Sequence, residues 1–281
     1  MVFPGISTIN MKSRGYIKYL ILGIISAIIA VYFTGKGSSK GEPRDFAEIK
    51  KSGVLRVVTE YNSLSYFVNK DTISGFQYEL ANAFAKAKGL RLEIVPEMSF
   101  DKRLEGLSNG SYDIIAYDML VTSELKDSIL LTLPIQLNKQ VLVQRKAGAN
   151  KTPYIKSQLD LAHKILHVVK GSPSILRIKN LSNEIGDAIY IKEVEKYGSE
   201  QLMAMVAHGD ISYAVCDKSI AYASIDSFPQ LDIHTDISFT QFYSWGVSKK
   251  SPVLLDTLNS WLKTFTKSKE YQRIYKKYYK A

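Results

Sequence analysis

From Val54 onward, short apolar runs rich in β-branched residues alternate with stretches of helical period. "VLRVVTE" (Val54–Glu60) reads as a buried strand. In "SGFQYELANAFAKAKGL" the residues Phe76, Leu80, Ala83, Phe84 and Ala87 share one helical face, and Gly89 supplies the stop. "RLEIV" predicts the next strand, Phe100–Ser108 a helix and Tyr112–Ala116 a third strand. That β-α-β-α-β order implies a parallel sheet with right-handed crossovers. "KQVLVQRK" (Lys139–Lys146) is a further strand leading into the polar "AGANKTP". The alternation then restarts. "KILHVVKGSPS" predicts a strand into a turn, "AIYIKEV" a strand, Ser199–Ala207 a helix and Ile211–Cys216 a strand. "FYSWGVSKKSP" predicts a return strand, and "LLDTLNSWLKTF" and "KEYQRIYKKYYK" two closing helices.

One layout occurs twice. "NGSYDIIAYD" (Asn109–Asp118) and "HGDISYAVCD" (His208–Asp217) each run from a glycine stop through a strand to an aspartate. Gly110 and Asp118 are spaced as Gly209 and Asp217 are, and each glycine follows an amphipathic stretch. A single aspartate after a strand is an ordinary turn residue. Two in matching places suggest two similar lobes. In open α/β sheets ligands sit beyond the carboxyl ends of the parallel strands, so the pair is expected to face one inter-lobe cleft. Capping of the following segment is the alternative reading of both.

The N-terminus changes the picture. "YLILGIISAIIAVYF" (Tyr19–Phe33) is uninterrupted apolar sequence preceded by Lys12, Arg14 and Lys18. Tyr16–Thr34 is about the length that spans a bilayer, and the positive flank favours a cytoplasmic N-terminus. The expected organisation is a cytoplasmic N-terminus over residues 1–15, an anchor over 16–34, a polar linker over 35–51 and a soluble domain over 52–281. A cleaved signal peptide is the rival reading of the same run.

Composition adds less. The 281-residue chain allows two domains of ordinary size, and its apolar and charged fractions are those of a folded protein. The net charge is +10 without a nucleic-acid motif, so nucleic acid is not an expected partner. Cys216 is the only cysteine, which excludes an intrachain disulfide and a cysteine-based zinc cluster. The four histidines lack metal-ligand spacing, so neither a metal nor a cofactor is expected.

The order and spacing of "SGFQYELANAFA", "LSNGSYDIIAYDMLVTSE", "KQVLVQRK", "KGSPS", "HGDISYAVCD" and "SKEYQRIYKKYY" resemble the bacterial solute-binding proteins of family 3. Within that family "GFQYELANAFA" and "YGSEQLMAMVAHGDISYAVCDKS" are most similar to the N-terminal, non-catalytic module of membrane-bound lytic murein transglycosylase F. The chain is expected to stop where that module ends. The resemblance implies a two-lobed α/β periplasmic-binding-protein type II fold with two hinge strands. Lobe one is expected at about 52–141 and 240–281, lobe two at about 146–236. It places Glu60 and Tyr66 after the first strand, and Tyr117, Asp118, Leu120 and Thr122 on the loop after the lobe-one strand. It places Ser172 and Ser174 in a helix-start turn that favours an anion, and Asp217 on the ligand's ammonium group.

One departure stands out. The arginine that grips the α-carboxylate of amino-acid ligands is replaced by Leu125, and the adjacent Lys126 lacks the planar fork. The implied ligand is therefore amine-bearing, sugar-like or muropeptide-like, with an ordinary amino acid less well served. The function expected is capture of an envelope solute by an inner-membrane protein facing the periplasm, as a sensor or regulator of a murein enzyme. Two alternatives stand beside it. One is delivery of an amino acid to an ABC permease. The other is a hydrolase built on the paired carboxylates, although no nucleophile–base set accompanies them.

Overall fold

A computed structural model describes residues 41–148, 152–195 and 197–279. The apolar run Tyr16–Thr34, expected as an anchor, lies outside the described residues. Residues 42–281 form one compact unit.

Two sheets organise that unit. The first contains, in chain order, β1 (Val54–Thr59), β4 (Arg91–Pro96), β5 (Ile114–Leu120), β6 (Leu130–Leu131), β7 (Gln136–Asn138) and β13 (Gln241–Val247). Its spatial order is β4-β1-β5-β13-β6, with β7 also on β13. The second contains β8 (Gln140–Arg145), β9 (Ile165–Val169), β10 (Tyr190–Val194), β11 (Tyr213–Asp217) and β12 (Leu231–Asp232), in the order β10-β9-β11-β8-β12. The chain leaves the first sheet after Asn138 and returns to it at Gln241. A separate hairpin, β2 (Phe67–Asn69) with β3 (Thr72–Ser74), follows β1.

Helices cover both faces of each sheet. On one face of the first sheet lie α1 (Phe46–Ser52), α2 (Phe76–Ala87), α8 (Pro252–Phe265) and α9 (Lys269–Tyr278), around Leu55, Phe76, Ile114 and Trp245. On the other lie α3 (Phe100–Ser108) and α4 (Ser123–Ser128), around Val58, Ile115, Met119 and Leu125. In the second sheet α5 (Ser174–Ile185) packs on Leu166, Val168 and Val215. There α6 (Ser199–His208) and α7 (Lys218–Ser224) pack on Val141, Ala214 and Cys216. Successive side chains of β5 and β11 enter opposite layers, Ile114 and Ala116 against Ile115 and Met119 in β5, and Ala214 and Cys216 against Tyr213 and Val215 in β11; this period of two decides which way each acid points.

Two expectations about boundaries change. Residues 46–51, expected in the linker, form α1 together with Ser52 and belong to the domain. Asp45 and Glu48 make a reciprocal cap at its start, and Ile49 is fully buried. Arg44 then reaches back to the buried Asp113 at 2.5 Å, beside Arg56 at 3.1 Å. Polar composition hid a helix held by Ile49, by Phe46 packed against the same core, and by its caps. The lobe-one strand also runs further than expected. Tyr117, Asp118 and Leu120 lie within β5 rather than on a loop after it, because β13 pairs with Met119 and Leu120 and carries the ladder on.

The repeated glycines do share a role. Gly110 and Gly209 adopt φ of +74° and +94°, which ends the helix before each strand. A Cβ at Gly110 would also sit 2.3 Å from the Glu42 carbonyl oxygen.

Candidate functional site

The ends of β1, β5 and β11 meet where the two sheets approach. Glu60 follows β1 and is 2% exposed. Asp217 closes β11, and the Tyr243 hydroxyl of β13 donates to its Oδ1 at 3.0 Å. A cavity of about 20 Å³, room for roughly one water, is lined by Glu60, Tyr117, Ser172, Ser174, Ser199 and Asp217, together with Arg103. The lobes are shut on one another. Glu200 of α6 accepts from Ser63 N at 2.8 Å and from the Ser224 hydroxyl at 2.6 Å. A Cβ at Gly198 would lie 3.0 Å from Glu60 Oε1.

Five of the nine expected site residues thus share one cavity, and Tyr66, Asp118, Leu120 and Thr122 do not line it. Asp118 lies on the opposite face of β5 from Tyr117. Its carboxylate accepts from Gln77 Nε2 and Gln136 Nε2. The orientation of Gln77 is forced, since Trp245 Nε1 can only donate and does so to Gln77 Oε1 at 2.6 Å. Thr122 spends its hydroxyl as N-cap of α4, accepting from Leu125 N at 3.2 Å. It lines a neighbouring groove with Leu125 and Lys179. Tyr66 packs edge-on against Tyr61 and Tyr78. Leu125 is 8% exposed in an apolar cluster, and Lys126 faces solvent.

Burial dominates the electrostatics. Desolvation, then the charge of Asp217, pushes the Asp118 carboxyl up to about 8. Desolvation pushes Asp217 up to about 7 against the Tyr243 hydrogen bond. Glu60 is raised by desolvation, with Arg103 and Asn62 opposing. The Tyr117 hydroxyl is raised well above its ordinary value by desolvation and by Glu60. Each of these buried carboxyls, Glu60 and Asp217 at the cavity and Asp118 beneath β5, is costly to ionise. An incoming cation lowers that cost.

Arg103 escaped the sequence reading. It occupies the second of four positions on a helical stripe, with Phe100, Leu104 and Leu107 at the others. A charged residue on an inward-facing stripe was the signal. Its Nη1 approaches Glu60 Oε2 at 3.3 Å, and its Cζ lies 4.5 Å over the Tyr117 ring.

A larger groove of about 560 Å³ runs between Phe67, Leu137, Tyr222 and Tyr278. It has lysines and aromatics but no carboxylate among its lining residues. Among the described residues no group of three or more His, Cys, Asp or Glu is placed to hold a metal ion.

Two α/β lobes closing on a cavity lined by strand ends define a binding protein of the periplasmic type. The profile of the bacterial extracellular solute-binding proteins, family 3, matches residues 55–281, and the chain belongs to that family. A membrane-bound lytic murein transglycosylase F of Photobacterium profundum is 27% identical over 207 residues, 74% of this chain and 40% of that protein. The chain spans about half or less of the length of the curated relatives it matches. The holo form of ArgBP from T. maritima superposes with TM-score 0.68 at 27% identity, over 83% of this chain and 98% of that one. The ancestral amino acid-binding protein AncCDT-1, a precursor of cyclohexadienyl dehydratase, gives 0.71 at 26%, over 83% and 99%.

Proposed function

We propose that the chain captures a small amine-bearing or hydroxyl-rich envelope solute between its lobes, on the extracytoplasmic side of an inner membrane to which Tyr16–Thr34 tethers it. The observation that carries this is Asp217. It lines the inter-lobe cavity, is raised by burial, and its hydrogen-bond partner is a tyrosine hydroxyl rather than a cation. An ammonium or a set of hydroxyls supplies what the pocket lacks. The lobes must part to admit a solute, since the closed cavity holds about 20 Å³. Capture then amounts to stabilising the closed state.

The names of the curated relatives support a place in murein metabolism, with an amino sugar or muropeptide fragment as the solute. The site reads as non-catalytic, because Asp118 is sealed beneath two amides and leaves Asp217 without an open carboxylate partner from β5. The arginine-binding and amino-acid-binding neighbours favour a second reading, delivery of an amino acid to an ABC permease.

Thermal-shift and calorimetric titration of the full chain with amines, amino sugars and amino acids tests the core of this reading. The expected result is a rise in Tm with at least one class, lost in Asp217→Asn. No response to any class overturns it. Retention in the membrane fraction after carbonate washing tests the tether, and a mature chain starting near residue 35 overturns that part alone.

A further inference from the structure

Leu125 leaves α4, after β5, without an arginine at that position, yet the cavity contains one from a different element. Arg103 of α3 is 1% exposed and lines the same cavity as Asp217. Its hydrogen bonds all use Nη1, to Glu60 Oε2 at 3.3 Å and to the carbonyls of Glu97 and Met98 at 2.5 and 3.4 Å. Its Nε is buried and has no partner among the described residues. A guanidinium presents Nε and the neighbouring Nη2 as one edge of parallel N–H groups, the arrangement a planar carboxylate accepts. Leaving a buried donor idle is costly. The Tyr117 ring under Cζ holds the guanidinium plane in place.

The surroundings favour an anion on the same side. Ser172 and Ser174 line the cavity at the start of the 12-residue α5, where the helix dipole attracts negative charge. Glu60 and Arg103 offset each other, and Asp217 remains for a cation. A solute with both an ammonium and a carboxylate uses Asp217 and the idle edge of Arg103 together.

We propose that Arg103 is the acid-gripping residue of the cleft, holding a solute carboxylate from α3 while Asp217 holds the solute's ammonium. The proposal rests on the reading of the cleft as a solute site and narrows it, because the acid is held from α3 rather than from the segment after β5 that carries Leu125.

Calorimetry of the full chain with matched pairs tests it: lysine and cadaverine, arginine and agmatine, tyrosine and tyramine. At least one amino acid is expected to bind tenfold or more tightly than its decarboxylated partner. In Glu60→Gln/Arg103→Met, which removes both buried charges, that preference should fall below threefold while the amine keeps its affinity. Should that variant not fold, Arg103→Lys keeps the charge, loses the fork and reads the same preference. An amine that binds as tightly as its amino acid, a preference that survives the substitutions, or no binding by any pair overturns the proposal. Binding of an amine regardless of the carboxylate, lost in Asp217→Asn, would remove the role of Arg103 and leave the solute-capture reading standing. Silence from every amine, amino acid and amino sugar would end both.

Discussion

The strands β5 and β11 bring the same helix, glycine, strand and aspartate to the same cleft, and then treat the aspartate differently. Asp118 is the fifth residue of β5 and sits under α2, where Gln77 and Gln136 donate to both its oxygens. Asp217 is the last residue of β11 and lines the cavity with a single tyrosine hydroxyl on it. One strand continues along β13 past its acid and the other stops on it. A continued strand carries its side chains into the layer beneath, whereas a terminating one leaves its last side chain at the rim. The acid of lobe one is thereby a fixture of the polar core and the acid of lobe two a binding group.

Removing the two acids should separate those roles. Asp118→Ala orphans two buried amides, at about 1–3 kcal/mol each, partly offset by relief of the desolvated carboxylate. A loss of about 2–4 kcal/mol in urea unfolding is expected, with unchanged affinity in whatever chain remains folded. Asp217→Ala should do the reverse. It forfeits a charge-assisted bond to the solute's ammonium, about 1.5–3 kcal/mol, which is roughly ten- to a hundredfold in Kd. Stability should change little. Equal losses of affinity in the two variants would show that both acids face the solute.

A smaller effect follows from pH. Both carboxyls are raised in the folded state, to about 8 and about 7, from an ordinary 3.8. Between those values the native chain holds protons that the unfolded chain has released, so stability falls as pH rises. The Tm of the solute-free chain should therefore decline from pH 5 to pH 8, and Asp217→Asn should flatten the part of that decline below about pH 7, leaving the part above it to Asp118. Binding of an ammonium has the opposite sign. It requires ionised Asp217, so affinity should rise by at most about tenfold per pH unit below pH 7 and level off above it. An affinity that falls with pH over that range would contradict the assignment.

These contrasts also mark what could be read in advance. The strands and most of the helices were legible because their apolar residues recur with period two or 3.6. The acids were legible as a pair because glycine stops fixed their spacing. Their different fates were not, since strand length here depends on pairing with β13, more than a hundred residues away in sequence. For the same reason the amide lock on Asp118 was invisible. It needs Trp245, Gln77 and Gln136 brought together from three elements. The hairpin of β2 and β3 also went unread, being three residues a side and half exposed, with no apolar alternation to announce it. Arg103 was readable in principle as a charge on an apolar stripe. A single charged residue on such a face usually snorkels to solvent, and only its full burial gives it away.

The mildest test returns to the start of two helices. Thr122 and Ser174 were both expected on the solute, and both precede or open a helix beside the cleft. Thr122 spends its Oγ1 on the N–H of Leu125 at 3.2 Å, at the start of the six-residue α4. Ser174 lines the cavity, and its hydroxyl accepts from Ser172 at 3.0 Å. A capping hydroxyl contributes about 1 kcal/mol to stability, so Thr122→Ala should lower stability by about that much. It should leave solute affinity within twofold, because the lost oxygen was already occupied and faces a different groove. Ser174→Ala is expected to do the reverse, a few-fold loss of affinity with stability nearly unchanged, since it removes a cavity hydroxyl and leaves the helix start to Pro173. Urea unfolding and calorimetry on the same two variants read both quantities. If Thr122→Ala weakens binding tenfold, the solute extends past Phe100 into the neighbouring groove, and the boundary drawn between cap and site has to move.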